Sequence, residues 1–216
     1  MDFFKIIIAL ASLYFSTIAQ AVEYDSDYTG KPGLKIFYGN HRKKAFPIDV
    51  HEGTGINLAD QNIIQSFDLK ITRQKGNSPY LFIGIYKGLR LNLQSDGCIL
   101  MHHGQQGYLV KSQPRTLTSE IDYHVKISYD KDALYARCII TRKDNSKKVW
   151  DSGEVLCDPL FPLNNIHFSA RYFPKDTANC KSEILWDEKN GMMLLRSEYK
   201  NWVLEALVDN MKVVVK

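Results

Sequence analysis

An all-β fold, a sandwich or a barrel, is what this 216-residue sequence predicts, and three observations predict it. Residues 123–130 alternate apolar and polar side chains, a turn follows at Asp130-Lys131-Asp132, and the alternation resumes over 134–141. That is a hairpin with one buried and one wet face. Other short segments of the same character recur along the chain with Gly, Asp, Asn and Ser between them, as many short strands do. A hydrophobic content of 44% and an aromatic content of 12% supply the core such a fold needs and exclude a disordered chain.

The strands are expected in the following order. After a polar leader at 22–33, residues 34–38 form a first short strand, and His41-Arg42-Lys43-Lys44 reads as a solvated charged loop. Beyond a loop containing Gly53 and Gly55, residues 67–71 alternate with Asp68 and Lys70 outward. Residues 80–86 are continuously apolar, as in a strand covered on both faces. Residues 89–93 alternate with Arg90 and Asn92 outward, and Ser95-Asp96-Gly97 turns into 98–101. Then come 108–110, the hairpin, 148–150, 166–172 and 182–186. In the hairpin, Tyr123, Val125, Ile127 and Tyr129 on one arm and Leu134, Ala136, Cys138 and Ile140 on the other form the buried side. The C-terminus reads two ways. Leu195, Tyr199, Trp202, Val203, Ala206 and Leu207 fall at helical spacing. Residues 202–208, a turn or bulge at Asp209-Asn210, and 211–215 also read as strands, which the closing valines favour. The last strand would close a sheet, beside 34–38.

The first residues carry targeting information. Lys5 and the amino terminus precede an apolar run over 6–18 and a small-x-small site at Ala19-Gln20-Ala21, the form of a cleaved signal peptide over 1–21. The run falls short of the ~20 residues that span a bilayer. Residues 22–216 are then one exported domain, secreted or periplasmic, with no membrane span. Four cysteines remain, Cys98, Cys138, Cys157 and Cys180, and in an oxidising compartment they are disulfide candidates of unspecified pairing. No C-x-x-C spacing suggests zinc. His102 and His103 are adjacent, so on a strand they point to opposite faces and cannot share a metal. A net charge of +4 permits acidic ligands, and no basic-aromatic motif supports nucleic-acid binding.

Tyr123-His124-Val125-Lys126-Ile127-Ser128-Tyr129-Asp130 resembles the Trp-His-x-Val-x-Val-x-Tyr-Asp strand of concanavalin A-like jelly rolls in their laminin-G-like branch, with Tyr123 in place of Trp. Asn57-Leu58-Ala59-Asp60 resembles the approach to that family's first core strand, and Val208-Asp209-Asn210-Met211-Lys212-Val213 its closing strand. The resemblance covers most of the mature chain and implies a jelly-roll β-sandwich of two antiparallel sheets; fold alone does not imply an activity. It also raises a calcium site of laminin-G type at Asp130 and Asp132, although turn aspartates more often bond their own backbone. The glucanase-like branch places paired carboxylates on one strand; Glu120-Ile121-Asp122-Tyr123-His124 begins that way, but His124 stands where the second catalytic carboxylate belongs. The alginate-lyase-like branch ends in a Tyr-Phe-Lys-x-Gly strand. Arg171-Tyr172-Phe173-Pro174-Lys175 echoes it, with Asn165-Ile166-His167 in place of a Gln-x-His strand. A lyase would put His167, Arg171 and Tyr172 near the chemistry.

The outward positions favour cations: Arg90, His124, Lys126, Arg137, His167 and Arg171, with Tyr135 among them. On one sheet they would make a basic plane on which Arg pairs with carboxylate or sulfate and Tyr stacks on sugar. The plain alternative is a set of ordinary solvated strand faces. Trp150 and Trp186 read as core in preference to sugar platforms. The function expected is noncatalytic binding of a glycan, favouring acidic polysaccharides. The alternatives are a polysaccharide lyase or glycoside hydrolase and an extracellular protein–protein interaction domain. No catalytic or metal-ligating residue is assigned, and calcium is the one cofactor raised.

Overall fold

A computed structural model describes residues 22–25, 58–76, 80–85, 88–160, 168–171, 180–187, 192–199 and 202–215. Residues 1–21, expected as a signal peptide, the strand expected at 34–38, His167 and Tyr172 lie outside them. The strands are β1 (Val22–Asp25), β2 (Ile63–Lys75), β3 (Tyr80–Ile85), β4 (Leu89–Gln94), β5 (Ile99–His103), β6 (Gly107–Lys111), β7 (Asp122–Asp130), β8 (Tyr135–Arg142), β9 (Lys148–Asp151), β10 (Val155–Leu156), β11 (Phe168–Arg171), β12 (Cys180–Asp187), β13 (Met192–Tyr199) and β14 (Trp202–Val215). One turn of 3-10 helix, Leu58–Asp60, leads into β2. Among the described residues no helix is long and apolar enough to cross a membrane.

Two antiparallel sheets result. The larger, of nine strands, runs β10-β8-β7-β2-β14-β13-β12, with β9 also on β8 and β1 on β14. The smaller, of five strands, runs β11-β3-β4-β5-β6. Period-two alternation on β2, β7 and β8 points Phe67, Leu69, Val125, Ile127 and Ile140 inward. There they meet Leu81, Ile83, Leu91, Leu93 and Met101 of the small sheet in one apolar cluster. Gln65 ties the two layers: its buried amide donates to the Leu89 carbonyl at 2.6 Å and accepts the Ile85 N–H at 3.2 Å. These backbone groups sit at the β3–β4 connection, so one side chain satisfies both ends of a hairpin.

The predicted hairpin is β7–β8. Asp130 Oδ1 accepts the N–H groups of Asp132 and Ala133, each at 2.9 Å, and Leu134 takes a left-handed φ of 54° to complete the turn. That carboxylate therefore organises its own turn, the reading that competed with calcium. Residues 192–199 and 202–215 are strands, not helix. β13 and β14 pair in register, and β14 also pairs along β2, so extended β-rich sequence gains ladder bonds on both sides. The closing strand is joined at its end by β1, from the segment read as a polar leader.

The cysteine expectation is corrected for three of the four residues. Cys98, Cys138 and Cys157 are free and buried. Cys138 and Cys157 fill the core as small apolar groups, and Cys98 Sγ lies 3.4 Å from the Ser112 carbonyl. Burial pushes the Cys157 thiol up to about 11 and that of Cys138 further still. The side chain of Cys180 lies outside the described residues.

Candidate functional site

The outward face of the five-stranded sheet is built from residues that alternate with the core positions of β3, β4 and β5. Leu81, Ile83, Leu89, Leu91, Ile99 and Met101 point inward, which turns Phe82, Arg90, Asn92 and His102 to the other side. Register then aligns them: Gly84 is opposite Arg90, Arg90 opposite His102, and Phe82 opposite Asn92. The Arg90 guanidinium carbon lies 4.3 Å from the centroid of the Phe82 ring, a cation–π contact. His102 meets the same ring edge-on, with centroids 5.2 Å apart, and Tyr80 also meets it edge-on at 5.5 Å. Gly84 makes the space. A Cβ there would stand 2.7 Å from Arg90 Cα, and its φ of 140° suits only glycine.

This cluster is closed over. Arg90 is 8% exposed and Asn92 9%, so the expectation of a solvent-facing Arg90 is corrected. Alternation fixed the face correctly; it carried no information about whether that face was covered. Buried Oδ1 of Asn92 and Nδ1 of His102 have no hydrogen-bond partner among the described residues. Burial, with the Arg90 and His103 charges, brings the His102 pKa down to about 4, so its imidazole is neutral at pH 7. Tyr108, opposite His102 on β6, is 60% exposed at the rim. Lys111 lies opposite Leu100 on the same side, and Arg171 pairs through its backbone with Phe82. Among the described residues no Asp or Glu belongs to β3, β4, β5, β6 or β11.

The outward face of the nine-stranded sheet differs. Several of its cations are matched by acids: Arg137 makes two hydrogen bonds with Asp151 at 2.9 and 2.8 Å, Lys148 joins the same carboxylate, and Arg142 pairs with Asp144. At its centre Asp68 holds His124 Nδ1 at 2.8 Å, Lys143 Nζ at 2.5 Å and Asn210 Nδ2 at 2.7 Å. Burial would raise the Asp68 pKa, but the hydrogen bonds from His124, Lys143 and Asn210 prevail and bring it to about 2. Asn210 reaches Asp68 because β14 bulges between Asp209 and Lys212, with Asn210 at a φ of 49°.

No protein-family model matches the sequence, and no curated protein matches it. Solved structures do. Peanut lectin superposes with a TM-score of 0.51 at 10% identity, covering 91% of this chain and 98% of the lectin. A Lotus tetragonolobus seed lectin gives 0.52 at 10% identity with the same coverage. The catalytic domain of a glycoside hydrolase family 131 protein from Coprinopsis cinerea gives 0.41 at 13% identity, covering 74% of this chain and 58% of that domain. The fold is the concanavalin A-like jelly roll.

In this jelly roll the residues expected on one basic plane are divided between two sheets. His124, Lys126, Arg137 and Tyr135 lie on β7 and β8 of the large sheet. Arg90 and the backbone of Arg171 belong to the small one. Of the first group, His124 and Arg137 are engaged by Asp68 and Asp151, while Lys126 is exposed with no ion pair among the described residues. Glu120 sits ahead of β7, 3.5 Å from Lys70. His102 and His103 take opposite faces as expected; His103 is fully buried and accepts from the Gln105 and Gln106 N–H groups through Nδ1. His102 itself was missed as a partner of Arg90, because that pairing depends on strand register. No three His, Cys, Asp or Glu side chains converge as a metal site among the described residues.

Proposed function

We propose that the chain is an exported glycan-binding module that holds an acidic polysaccharide on the outward face of its five-stranded sheet. The observation that carries this reading is the composition of that face. It has Arg90 and Lys111, aromatic Phe82 and Tyr108, and no carboxylate among its described residues. Lys111 and Tyr108 are exposed at the rim of that face, where a polymer carboxylate or sulfate arrives first, and the buried Arg90, held over Phe82, adds a fixed positive charge beside them. Tyr108 offers a ring to a sugar face. The fold shared with two lectins agrees with a glycan ligand, and export rests on the leader-like residues 1–21.

The test is biolayer interferometry against polygalacturonate, dextran sulfate and unsulfated dextran. The wild type binds one or both acidic polymers, Arg90→Gln with Lys111→Gln weakens that binding at least about tenfold, and Lys126→Gln on the other sheet leaves it within twofold. No binding to either acidic polymer, or equal loss in Lys126→Gln, refutes the reading.

One observation favours an enzymatic alternative. A neutral His102 beside Arg90 and Asn92 supplies a base and two carboxylate-binding groups, the parts a uronate β-elimination uses. Release of unsaturated uronate from polygalacturonate or alginate, lost in His102→Asn, would establish it. A double-displacement hydrolase finds no carboxylate pair on this face among the described residues.

A further inference from the structure

We propose that the hollow beside the β14 bulge, on the outward face of the nine-stranded sheet, is a second binding site that takes an uncharged sugar residue. The hollow is a shallow, open depression of about 540 Å³. Asp68, His124 and Thr141 form its floor as a cross-strand row on β2, β7 and β8. Arg142, Lys143, Ser146, Ser66 and Asn210 on the bulge complete the lining.

Its charges are balanced, which sets the ligand class. Asp144 engages Arg142, and Lys143 faces Asp68 with Asp122 and Asp209 also acting on it. An anion entering would meet the ionised Asp68. A divalent cation would find one lining carboxylate, already held by three donors. What the hollow does offer is unspent hydrogen bonding of both kinds. The hydroxyls of Ser66, Thr141 and Ser146 make no hydrogen bond among the described residues. Lys143 has further N–H groups, Asn210 keeps an amide oxygen and one N–H, and Asp68 Oδ1 keeps a lone pair beyond the one His124 takes. A sugar hydroxyl donates and accepts at once, so vicinal hydroxyls match a fixed carboxylate flanked by amide and ammonium donors. The three bonds on Asp68 hold that acceptor rigid before any ligand arrives.

This inference deepens the glycan-binding reading and borrows from it only the ligand class. The test is isothermal titration calorimetry with cellohexaose, maltohexaose and mannohexaose. Two variants remove lining groups while sparing the backbone: Ser66→Ala with Thr141→Val, and Asn210→Gly, which keeps the left-handed conformation. At least one neutral hexasaccharide should bind in the millimolar range or tighter. Each variant should weaken it by about tenfold or more, with the urea midpoint checked for folding, and Arg90→Gln should leave it unchanged. Absence of binding to all three, indifference to both variants, or loss on Arg90→Gln overturns the proposal. Polygalacturonate binding measured on the same variants reports on the Arg90 face alone, so the two readings fail separately.

Discussion

Replacing Asp68 with asparagine keeps the side chain's shape and removes its charge, and it should destabilise the protein in a pH-dependent way. Asp68 is 13% exposed at the side chain and accepts from His124, Lys143 and Asn210. Its pKa of about 2, against an ordinary 3.8, means the folded protein holds the ionised form more tightly than the unfolded chain does. The difference of nearly two units corresponds to at most about 2.4 kcal/mol at neutral pH. Solvent screening at a partly open site reduces that to roughly 1–2 kcal/mol. The sign is that of a depressed carboxylate. The contribution is complete above the unfolded pKa and fades as pH falls through the folded one, with about half left at pH 3. Urea unfolding of wild type and Asp68→Asn at pH 7, 5 and 3 measures this directly. The gap between them should be constant from pH 7 to 5 and shrink at pH 3. A gap below about 0.5 kcal/mol at pH 7, or one that widens in acid, would refute the account of Asp68 as a charged tie between β2, β7, the β8–β9 turn and the β14 bulge.

Gly84→Ala should lower the melting temperature by many degrees, because the new Cβ meets Arg90 Cα at 2.7 Å on backbone that cannot yield, at a φ of 140°; an unchanged melting temperature would deny that β3 and β4 approach so closely. His102, with its pKa lowered to about 4, protonates less readily folded than unfolded. Between pH 6.5 and 4 it should therefore impose a growing penalty of about 1–2 kcal/mol after screening, which His102→Asn should abolish in parallel urea titrations. Ellman's reagent should leave Cys98, Cys138 and Cys157 unmodified in the native protein and reach them all in urea, since all three are free and buried; rapid native labelling of single-cysteine variants would contradict this burial.

What the sequence made legible depends on the range over which each signal acts. The β7–β8 hairpin was readable because its alternation, its Asp130 turn and its core side chains all lie within twenty residues. The continuous apolar run of β3 correctly announced cover on both faces. That same cue bore on Arg90: β4 pairs with β3, so whatever sheltered Phe82 sheltered its neighbour too. Alternation alone assigned Arg90 to an outward face and made it look wet. The Asp68–His124 contact joins positions 56 apart in the chain and needed the register of β2 on β7, which no local pattern encodes. The split of the basic plane has the same origin, since strand identity within a sheet is a long-range property. β10, two residues long, gives no period to read. β13 was ambiguous because Leu195 and Tyr199 satisfy helical and strand spacing alike.

The two outward faces assign different tasks to similar residues. Surface ion pairs such as Arg137–Asp151 or Arg142–Asp144 contribute little stability, typically ~0–1 kcal/mol each. Their larger consequence is electrostatic: each cation beside an acid cancels most of the field that a distant anion would sense. The nine-stranded sheet cancels its charge in this way across β7, β8 and β9. The described strands of the five-stranded sheet contain no acid to do the same. An acidic polymer approaching from solution would then be drawn to the Arg90 and Lys111 side even though the other sheet contains more cations. Ionic strength separates recruitment from recognition here. Raising salt should slow association with the acidic polymers in wild type, while dissociation, governed by close contacts at the rim residues Lys111 and Tyr108 beside Arg90, should change little. If salt acted mainly on dissociation, the polymer would be held by diffuse surface charge instead, and the fixed guanidinium over Phe82 would have no part in it.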